Sequence, residues 1–419
     1  MFNWFESRLN PFPQKKPTTP PNSILAFCWH YSSTAWPWLI LMSTLTALIS
    51  IGEIYLFSFL GNIIDWLAEN NRVHFLEREG GRLFWMGSFI IFGLPCIVLL
   101  HSLIIHQTLL GNFPMIARWQ MHRYLLFQSM SFFTNEFAGR VATKVMQTSL
   151  AIRESVMKVL DVFVYVSVYF ISMMVLVSNS EFRLIFPLLL WIILYVSLVI
   201  LFVPKLKVIS KEQADSRSIM TGRVVDSYTN ISTVKLFSHA LKEEIYAKEG
   251  MDSFLITVHR QMRLVTLFHY LVYFNNVFLV FSMSGLSIWF WMNSFVSVGS
   301  IATAIAMCLR INGMSHWIMW EVSSLFENIG VVQDGMKMMA KPQEVLDKHN
   351  ATEVLVNGGS VEYENISFHY GRNEGIIDNF SLRISGGEKV GIVGRSGAGK
   401  STLLNLLLRF YDLKSGRIT

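Results

Sequence analysis

Residues 264–309 read LVTLFHYLVYFNNVFLVFSMSGLSIWFWMNSFVSVGSIATAIAMCL and contain no charged side chain. At 1.5 Å per residue, one continuous helix of this length would span about 69 Å, roughly twice the thickness of the hydrocarbon core of a bilayer. The stretch therefore predicts two membrane crossings with a fold-back between them. The expected break lies where turn-forming residues cluster, near Asn293, Ser294, Val298, Gly299 and Ser300.

The composition of the whole chain fits a membrane protein. Of its 419 residues, 52% are hydrophobic and 15% are charged, whereas soluble domains carry about 25% charged residues. A mean hydropathy of +0.41 means that many apolar side chains face lipid rather than water. Six membrane-spanning helices are expected, at about 35–60, 83–107, 159–178, 184–203, 264–292 and 300–320.

The distribution of positive charge predicts the orientation. Lysine and arginine concentrate in the connections after the second and fourth spans, and positive loops stay on the cytoplasmic side. We therefore expect a multi-pass protein of the inner or plasma membrane, with Lys15, Lys16 and the N-terminus in the cytoplasm. The net charge of +6 follows from this topology, so nucleic acid is not expected as a partner. The first 21 residues lack an apolar segment, so no cleavable signal peptide is expected.

Both cytoplasmic connections are long and contain little glycine or proline. Their spaced apolar residues are typical of amphipathic helices. We therefore expect the spans to continue as helices well beyond the membrane. A plainer interpretation, solvated helical hairpins without a special role, stays open at this point.

A glycine-rich motif lies near the C-terminal end of the chain. Residues 394–401 read GRSGAGKS and match the phosphate-binding pattern GxxxxGK[ST]. The motif follows an apolar run, Val390–Val393, which is expected to form a strand, and it opens an amphipathic helix. Glycines let the backbone curl so that successive N–H groups point at phosphate oxygens, and the positive end of the helix adds to this attraction.

The side chains of the motif suit a nucleoside triphosphate bound with magnesium. Lys400 would reach the β- and γ-phosphates, and the hydroxyl of Ser401 would bind Mg²⁺, with the hydroxyl of Thr402 beside it. A glycine-rich turn with a solvated lysine is the plainer alternative. The expected binding residues are Gly394, Arg395, Ser396, Gly397, Ala398, Gly399, Lys400, Ser401 and Thr402.

Six spans, two long cytoplasmic connections and a phosphate-binding domain together resemble an ATP-binding cassette (ABC) exporter of the half-transporter type, in which one chain carries both domains. The resemblance covers nearly all residues from about Ala35 onward. Residues 132–140 resemble the first coupling helix of that family, and residues 222–231 with 233–237 resemble the second. Tyr370 stands where the family places the aromatic ring that stacks on adenine. A strand tyrosine on a half-buried face is the alternative.

The resemblance implies ATP as the ligand, a second transporter half as partner in a homodimer or heterodimer, surrounding membrane lipid and a substrate of unknown identity. ATP binding would close the two nucleotide domains and switch the cavity between inward- and outward-facing states. The expected fold is mainly α: a six-helix transmembrane domain of ABC exporter type with long cytoplasmic helical extensions, followed by an incomplete α/β P-loop nucleotide-binding domain. The expected limits are 1–34 for a Pro-rich cytoplasmic segment, 35–340 for the transmembrane domain, 341–358 for a linker and 359–419 for the partial nucleotide-binding domain.

The match departs from the family pattern at the C-terminal end. The family's glutamine loop, signature sequence, Walker B carboxylates and switch histidine would lie beyond Thr419, so the sequence assigns no catalytic residue and leaves ATP hydrolysis open. One alternative is therefore a truncated, hydrolysis-deficient protein that only binds nucleotide weakly, whose turnover would not depend on Lys400. Another is a membrane-anchored P-loop kinase or GTPase, which would not explain the second long connection.

Four charged residues lie inside or beside the expected spans: Glu53, Asp161, Arg310 and Glu321. An ionised side chain at the centre of a membrane helix costs about 2.5–3.5 kcal/mol on insertion scales, so each invites a reason. Three helical turns place Arg310 about 16 Å from Glu321, too far for pairing, so their partners must lie on other helices. Two hypotheses stay open: a polar translocation cavity that includes His101, His106 and His316, or a structural role through ion pairs between helices or proximity to lipid headgroups.

Overall fold

The computed structural model of the protein describes residues 2–14, 17–68, 74–237, 240–347, 351–352, 358–371 and 376–419. The described chain is mainly helical and forms two compact units. The first unit contains Met1–Trp36, His106–Val156 and Asn328–Thr419. The second unit contains Pro37–Ile105 and Met157–Glu327.

The α-helices, in chain order, are α1 (Phe2–Glu6), α2 (Ile24–Ser32), α3 (Trp36–Ala68), α4 (Phe75–Ser88), α5 (Leu94–Leu103), α6 (Asn112–Leu126), α7 (Met130–Asn135), α8 (Ala138–Met157), α9 (Val164–Ser180), α10 (Ile185–Thr229), α11 (Ile231–Leu236), α12 (Ala240–Met292), α13 (Val298–Met339) and α14 (Lys400–Leu407). Short π-helical turns occur at Phe89–Gly93, Ile104–Leu109 and Lys158–Phe163. Within the described residues, six helical stretches are long and apolar enough to cross a membrane: Trp36–Ala68, Phe75–Leu126, Ala138–Ser180, Phe182–Thr229, Leu241–Met292 and Val298–Met339. The expected six-helix architecture is thereby confirmed.

Long helices make up most of the second unit. α10 and α12 pack against each other along much of their length. The core of the unit contains large buried side chains, among them Tyr169, Trp191, Phe268 and Met283. α12 has 53 residues and is therefore about 80 Å long. A helix of this length extends far past a bilayer, as the composition of the second connection predicts.

The charge-free stretch 264–309 folds back in a tight turn. α12 ends at Met292 and α13 begins at Val298. Between them, Ser294 adopts a φ of 61°, a left-handed conformation that a reversal of the chain over a few residues requires. Two antiparallel helices therefore replace the single 69 Å helix that the length of the stretch excludes.

The start of α13 is fixed to the end of α3. The carboxylate of Asp65 accepts hydrogen bonds from the Gly299 N–H at 2.7 Å and from the Ser297 hydroxyl at 2.6 Å. A carboxylate at this position satisfies N–H groups that have no partner within the helix and interacts favourably with its positive end. A Cβ atom at Gly299 would collide with the carbonyl oxygen of Gly61, so the two backbones touch here.

The first unit contains a small antiparallel sheet. Its central strand is β1 (Val361–Phe368), with β2 (Ile377–Ile384) on one side and β3 (Ser415–Ile418) on the other. α14 covers the sheet through Leu403 and Leu406, which pack with buried side chains of β1. This packing places the beginning of α14, and with it the glycine-rich loop, beside one face of the sheet.

The structure corrects one expectation about this region. Residues 390–393 do not form a strand, and Val393 is 96% exposed. A strand needs a neighbour that pairs with its backbone N–H and C=O groups. In the described parts of the chain, the sheet order is β2-β1-β3 and no strand lies beside residues 390–393. The apolar run is therefore irregular chain that leads into the loop.

Candidate functional site

The glycine-rich loop curls around the start of α14. Gly397 and Gly399 have φ values of 87° and 84°, in the left-handed region that favours glycine. The Ala398 N–H donates to the Arg395 carbonyl at 3.2 Å, and the Leu403 N–H donates to the Gly399 carbonyl at 3.0 Å. The loop is thus wrapped rather than extended and runs directly into a helix N-terminus, as a phosphate cradle requires.

The side chain of Lys400 folds back over the same loop. Its Nζ donates to the carbonyl oxygens of Gly394 and Arg395, both at 2.8 Å. Ser396 and Ser401 are exposed at the loop and at the first turn of the helix. A positive charge and solvent-accessible hydroxyls are therefore gathered at one helix end, and these residues fit a triphosphate with its magnesium ion.

Tyr370 lies beside α14. Its hydroxyl is 3.5 Å from the hydroxyl oxygen of Thr402, which is buried. Its ring meets the rings of Phe368 and Tyr411 edge-on, with centroids 4.8 and 5.0 Å apart. The residue nevertheless keeps 41% of its surface exposed. The structure therefore places Tyr370 next to the helix of the loop, while its role in adenine stacking stays a prediction.

The segment that follows α13 is bonded to the first long connection between spans. The carbonyl of Lys341 accepts a hydrogen bond from the Tyr124 hydroxyl at 2.7 Å, and its ammonium pairs with Glu136 at 3.1 Å. The Ser129 hydroxyl oxygen accepts the Glu344 N–H at 2.7 Å. These bonds fix both ends of α7 to the linker. α7 overlaps the segment 132–140 that resembles a coupling helix.

The same linker is bonded to the far end of α14. Arg409 donates to the carboxylate of Asp347 at 2.9 Å and to the carbonyl of Leu346 at 2.8 Å. A hydrogen bond to Asp412 raises the pKa of the Arg409 guanidinium above its ordinary value, so this group stays charged. Polar contacts thus lead from α14 through the linker to α7.

A cavity of about 1010 Å³ lies beside α7. Its wall includes Thr134 of α7 and, from the nucleotide-binding part, Tyr370, Asn405 and Tyr411. The hydroxyls of Thr134 and Tyr411 are 3.4 Å apart. Tyr411 therefore lies between α7 and the tyrosine that stands next to the loop helix.

The segment that resembles the second coupling helix lies in the second unit. Residues 222–231 cover the end of α10, a bend at Asn230 and the first residue of α11. The Thr233 N–H donates to the Asn230 carbonyl at 2.9 Å and closes the first turn of the short helix. Residues 233–237 complete α11 and the position after it.

Among the polar side chains that the structure describes on the membrane-spanning helices of the second unit, three clusters are built around charged residues and are here called the polar seam. The seam consists of Thr46, Glu53, His101, Lys158, Asp161, Tyr165, Arg310 and Glu321. In the first cluster, Glu53 pairs with Arg310 at 3.1 Å and accepts a hydrogen bond from Tyr165 at 2.6 Å. Three helices meet at this cluster, and each charge has a partner.

The second cluster pairs Lys158 with Glu321 at 2.7 Å, with the two side chains 13% and 17% exposed. Lys158 also donates to the Ser324 hydroxyl at 2.7 Å. Because both charges are largely removed from solvent, their attraction is screened less than that of a surface pair. This pair joins the beginning of the third span to the end of the sixth.

The third cluster surrounds Asp161. Its carboxylate lies 3.2 Å from Nε2 of His101 and accepts a hydrogen bond from the Thr46 hydroxyl. His101 Nε2 and the Thr46 hydroxyl oxygen are 2.9 Å apart. Glu53, Asp161, Arg310 and Glu321 thus each contact a polar side chain of another helix. This is the arrangement that the hypothesis of ion pairs between helices predicts. His316 instead stacks on His269, with ring centroids 4.5 Å apart, and His106 lies in a π-helical turn.

Sequence reasoning missed Thr46, Lys158 and Tyr165 as members of these clusters. A signal was present in the spacing. Thr46 and Glu53 recur at helical intervals on α3, and Asp161 and Tyr165 are one turn apart in the third span, so each set shares one face. Only the packing of the helices shows that these faces meet.

Comparison with known families identifies the architecture. Residues 39–312 match the family model of the ABC transporter transmembrane region, and residues 377–419 match the ABC transporter model of the nucleotide-binding part. The chain belongs to the ABC transporter family. The match to the transmembrane region does not favour a membrane-anchored kinase or GTPase.

Individual relatives agree with this assignment. An uncharacterized ABC transporter ATP-binding protein of Haemophilus influenzae is 45% identical over 419 residues, which are 100% of this chain and 68% of that protein. A putative export ATP-binding/permease protein of Rickettsia prowazekii is 28% identical over 271 residues, 62% of this chain and 45% of that protein. The chain thus spans about two thirds of the first relative's length and less than half of the second's.

A solved structure of a bacterial Atm1-family ABC exporter with ATP bound has the same fold. The TM-score is 0.70 at 19% sequence identity, and the match covers 91% of this ABC transporter chain and 66% of that chain. At this identity the likeness establishes the fold alone. The ABC exporter fold that the six spans and the phosphate loop predict is confirmed.

Proposed function

We propose that this chain is a subunit of an ATP-driven exporter that works with a second transporter half, as a homodimer or a heterodimer. The observation that carries the proposal is the phosphate loop, which is wrapped around a helix start in the same compact unit as α7. A loop built to hold triphosphate and a coupling segment are thereby joined through described contacts. ATP supplies the free energy for transport when it is bound.

The residues of the loop have distinct roles in this proposal. Backbone N–H groups of the loop 394–399 would bind phosphate oxygens, and Lys400 would neutralise the β- and γ-phosphates. To reach them, its Nζ would leave the carbonyl oxygens of Gly394 and Arg395. Ser401 provides a hydroxyl ligand for Mg²⁺, with Thr402 beside it. Tyr370 orients the adenine ring.

We further propose that the linker carries the motion of the nucleotide-binding part to the membrane helices. A shift of α14 moves Arg409, which is bonded to Leu346 and Asp347 of the linker. The linker is bonded through Lys341 to the first connection next to α7. The membrane domain would then alternate between inward- and outward-facing states as the two nucleotide-binding parts approach and separate.

The proposed orientation places both long connections and the nucleotide-binding part in the cytoplasm, with the spans in lipid of the inner membrane. Positive charge in these connections supports this direction. The orientation can be tested with the variant Gly222→Cys in a chain whose other cysteines have been replaced. The variant is expressed in cells that are then converted to spheroplasts. We expect a membrane-impermeant maleimide to label Gly222→Cys only after the membrane is opened. Labelling of intact spheroplasts would place the second connection outside and refute the orientation.

Binding of nucleotide by the full chain in lipid nanodiscs tests the site itself. We expect Lys400→Ala to weaken binding of Mg–ATP about 10- to 100-fold, because hydrogen bonds to charged groups contribute about 1.5–3 kcal/mol. Lys389→Ala is the matched control, since Lys389 is an exposed lysine outside the loop. Equal affinities of the two variants, measured by fluorescence titration with a labelled ATP analogue, would refute a role for this loop.

A further inference from the structure

The N-terminal segment of the chain is attached by long-range hydrogen bonds to the π-helical turn Ile104–Leu109 and to α6. The carbonyl of Phe5 accepts the Thr108 hydroxyl at 3.1 Å, and the carbonyl of Glu6 accepts the Asn112 amide at 2.9 Å. Farther on, the carbonyl of Pro13 accepts the Trp119 indole N–H at 3.2 Å. The side chain of Leu9 is buried between these points. One face of the segment is therefore fixed to the protein.

The N-terminal segment and α2 also expose large apolar side chains. Phe2 and Trp4 are each about half exposed, and on α2 Leu25 and Trp29 are exposed one turn apart. Phe12, also about half exposed, meets the ring of Trp119 on α6 edge-on, with centroids 5.5 Å apart. α2 itself packs on α6 through a buried face that contains Phe27 and Tyr31. Several large apolar groups within about 30 residues are more than a water-facing segment normally leaves uncovered, and such patches mark contacts with membranes or proteins.

The position of the attachment along α6 distinguishes a membrane from a protein as the covering partner. Thr108 is one residue past the expected end of the second span at 107, and it is this expected limit that puts Phe5, which is bonded to Thr108, at the level of the bilayer surface. From Asn112, α6 continues for 11 residues to Arg123, which also donates to the Pro13 carbonyl at 3.1 Å. That distance is about 17 Å along the helix. The segment therefore starts at the membrane surface and leads away from it.

The charge of the segment complements an anionic surface. Arg8 lies over the ring of Trp4, with its guanidinium carbon 3.7 Å from the ring centroid. Residues 1–36 contain three basic side chains, Arg8, Lys15 and Lys16, and one acidic side chain, Glu6. Tryptophan and arginine together are typical of the interface, where the ring lies among headgroups and the cation meets phosphate.

We propose that residues 2–12 form an interfacial anchor that docks on the bilayer beside the second span and binds anionic phospholipid headgroups through Arg8. Phe2 and Trp4 enter the boundary between headgroups and acyl chains, and the guanidinium of Arg8 pairs with lipid phosphate. The anchor does not depend on nucleotide binding, so its test is independent of the transport proposal.

Spin labels on the full chain in nanodiscs test the anchor. One label is placed at Asn3 of α1 and a control label at Gln14, which follows Pro13 on the part of the segment tied farther along α6. Both are introduced as cysteines with Cys28, Cys96 and Cys308 replaced by serine. Oxygen accumulates in lipid and a nickel chelate stays in water, so their relaxation effects report immersion. We expect the Asn3→Cys label to be immersed and the Gln14→Cys label to be in water.

The lipid dependence and a charge variant complete the test. We expect the immersed fraction at Asn3→Cys to be larger in discs with phosphatidylglycerol than in pure phosphatidylcholine. Arg8→Gln should shift the immersed-to-exposed ratio about fivefold towards water in the anionic discs, since one basic residue near such a surface contributes about 1 kcal/mol. Arg8→Lys should keep most of the effect, because it keeps the charge.

Three results would overturn the proposal. A label at Asn3→Cys as accessible to nickel as the one at Gln14→Cys would show that the segment does not reach the bilayer. An immobilised label that neither reagent reaches would show that protein covers the face instead. Equal immersion in neutral and anionic discs would show that headgroup charge is not recognised.

Discussion

In the polar seam, Lys158 and Glu321 bond to each other and are less than a fifth exposed, whereas Lys400 in the phosphate loop lies at an open helix end and bonds to loop carbonyls. Both sites hold a lysine. A charge between membrane helices needs a partner before the helices can pack, because an unpaired ion there is costly. A charged side chain that binds a ligand must instead have hydrogen-bond partners that the ligand can replace.

The difference predicts which substitutions damage folding and which damage binding. The largest effect on stability is expected at the second cluster of the seam. Glu321→Ala leaves Lys158 without its carboxylate, and loss of one member of a buried pair costs about 3 kcal/mol. Thermal unfolding in detergent should show a clearly lower midpoint for this variant.

The apolar double variant Lys158→Met with Glu321→Leu serves as the control. Replacing both members by apolar residues of similar volume removes the unpaired charge, so stability should return close to that of the original protein. A double variant as unstable as Glu321→Ala would show that the pair acts through shape rather than through charge.

The next largest effect is expected in the loop, where the backbone rather than a charge is decisive. Gly399→Ala places a Cβ at a φ of 84° and 3.3 Å from Ile376, and a left-handed conformation costs an L residue about 1–2 kcal/mol. The loop should open locally. We expect faster hydrogen exchange at residues 396–403 and weaker Mg–ATP binding, with an unchanged unfolding midpoint of the membrane helices.

Gly391→Ala is the matched control for the loop, because nothing lies within 4 Å of a Cβ at Gly391. Its nucleotide affinity should equal that of the original protein. If both glycine variants bind equally well, the wrapped conformation of the loop is not what holds the nucleotide.

A smaller effect is expected at the first cluster of the seam. Glu53→Gln keeps an acceptor for the Tyr165 hydroxyl and removes the charge opposite Arg310, whose side chain is 48% exposed. The protein encloses this pair less than the second one, and Tyr165 still bonds to the side chain at position 53, so the expected loss is smaller, about 1 kcal/mol. A loss as large as that of Glu321→Ala, measured in the same unfolding experiment, would remove the distinction between enclosed and half-open pairs.

The smallest effect is expected outside the seam. Arg260 pairs with Glu212 at 2.8 Å, but the side chains are 63% and 45% exposed. Such surface pairs contribute about 0.5 kcal/mol or less. Arg260→Gln should therefore leave the unfolding midpoint almost unchanged, and raising the salt concentration should remove what difference remains.

The sequence predicted the features that depend on local composition. The absence of charge over 264–309 implied two crossings, and the GRSGAGKS motif implied a wrapped loop before a helix. Each of these conclusions uses residues that are neighbours in the chain, so length, charge and backbone preference were sufficient. The six-helix architecture and the family followed from the same local signals.

Features that depend on pairing between distant segments were beyond the sequence. The apolar run 390–393 has the composition of a strand, but a strand also needs a neighbour, and composition does not provide one. In the same way, the charge of Glu321 signalled that a partner was needed without showing that it is Lys158, 163 positions away. Which polar faces of the helices meet is determined only by how the helices pack.

The bond between Asp65 and the start of α13 has a consequence for motion in the membrane. The carboxylate holds two residues at the beginning of α13, and the touching glycines leave no room for a side chain to act as a spacer. Sliding of one helix past the other would break these contacts together. We therefore expect the first and sixth spans to move together at this end, and any change in the angle between them to arise nearer the middle of the bilayer.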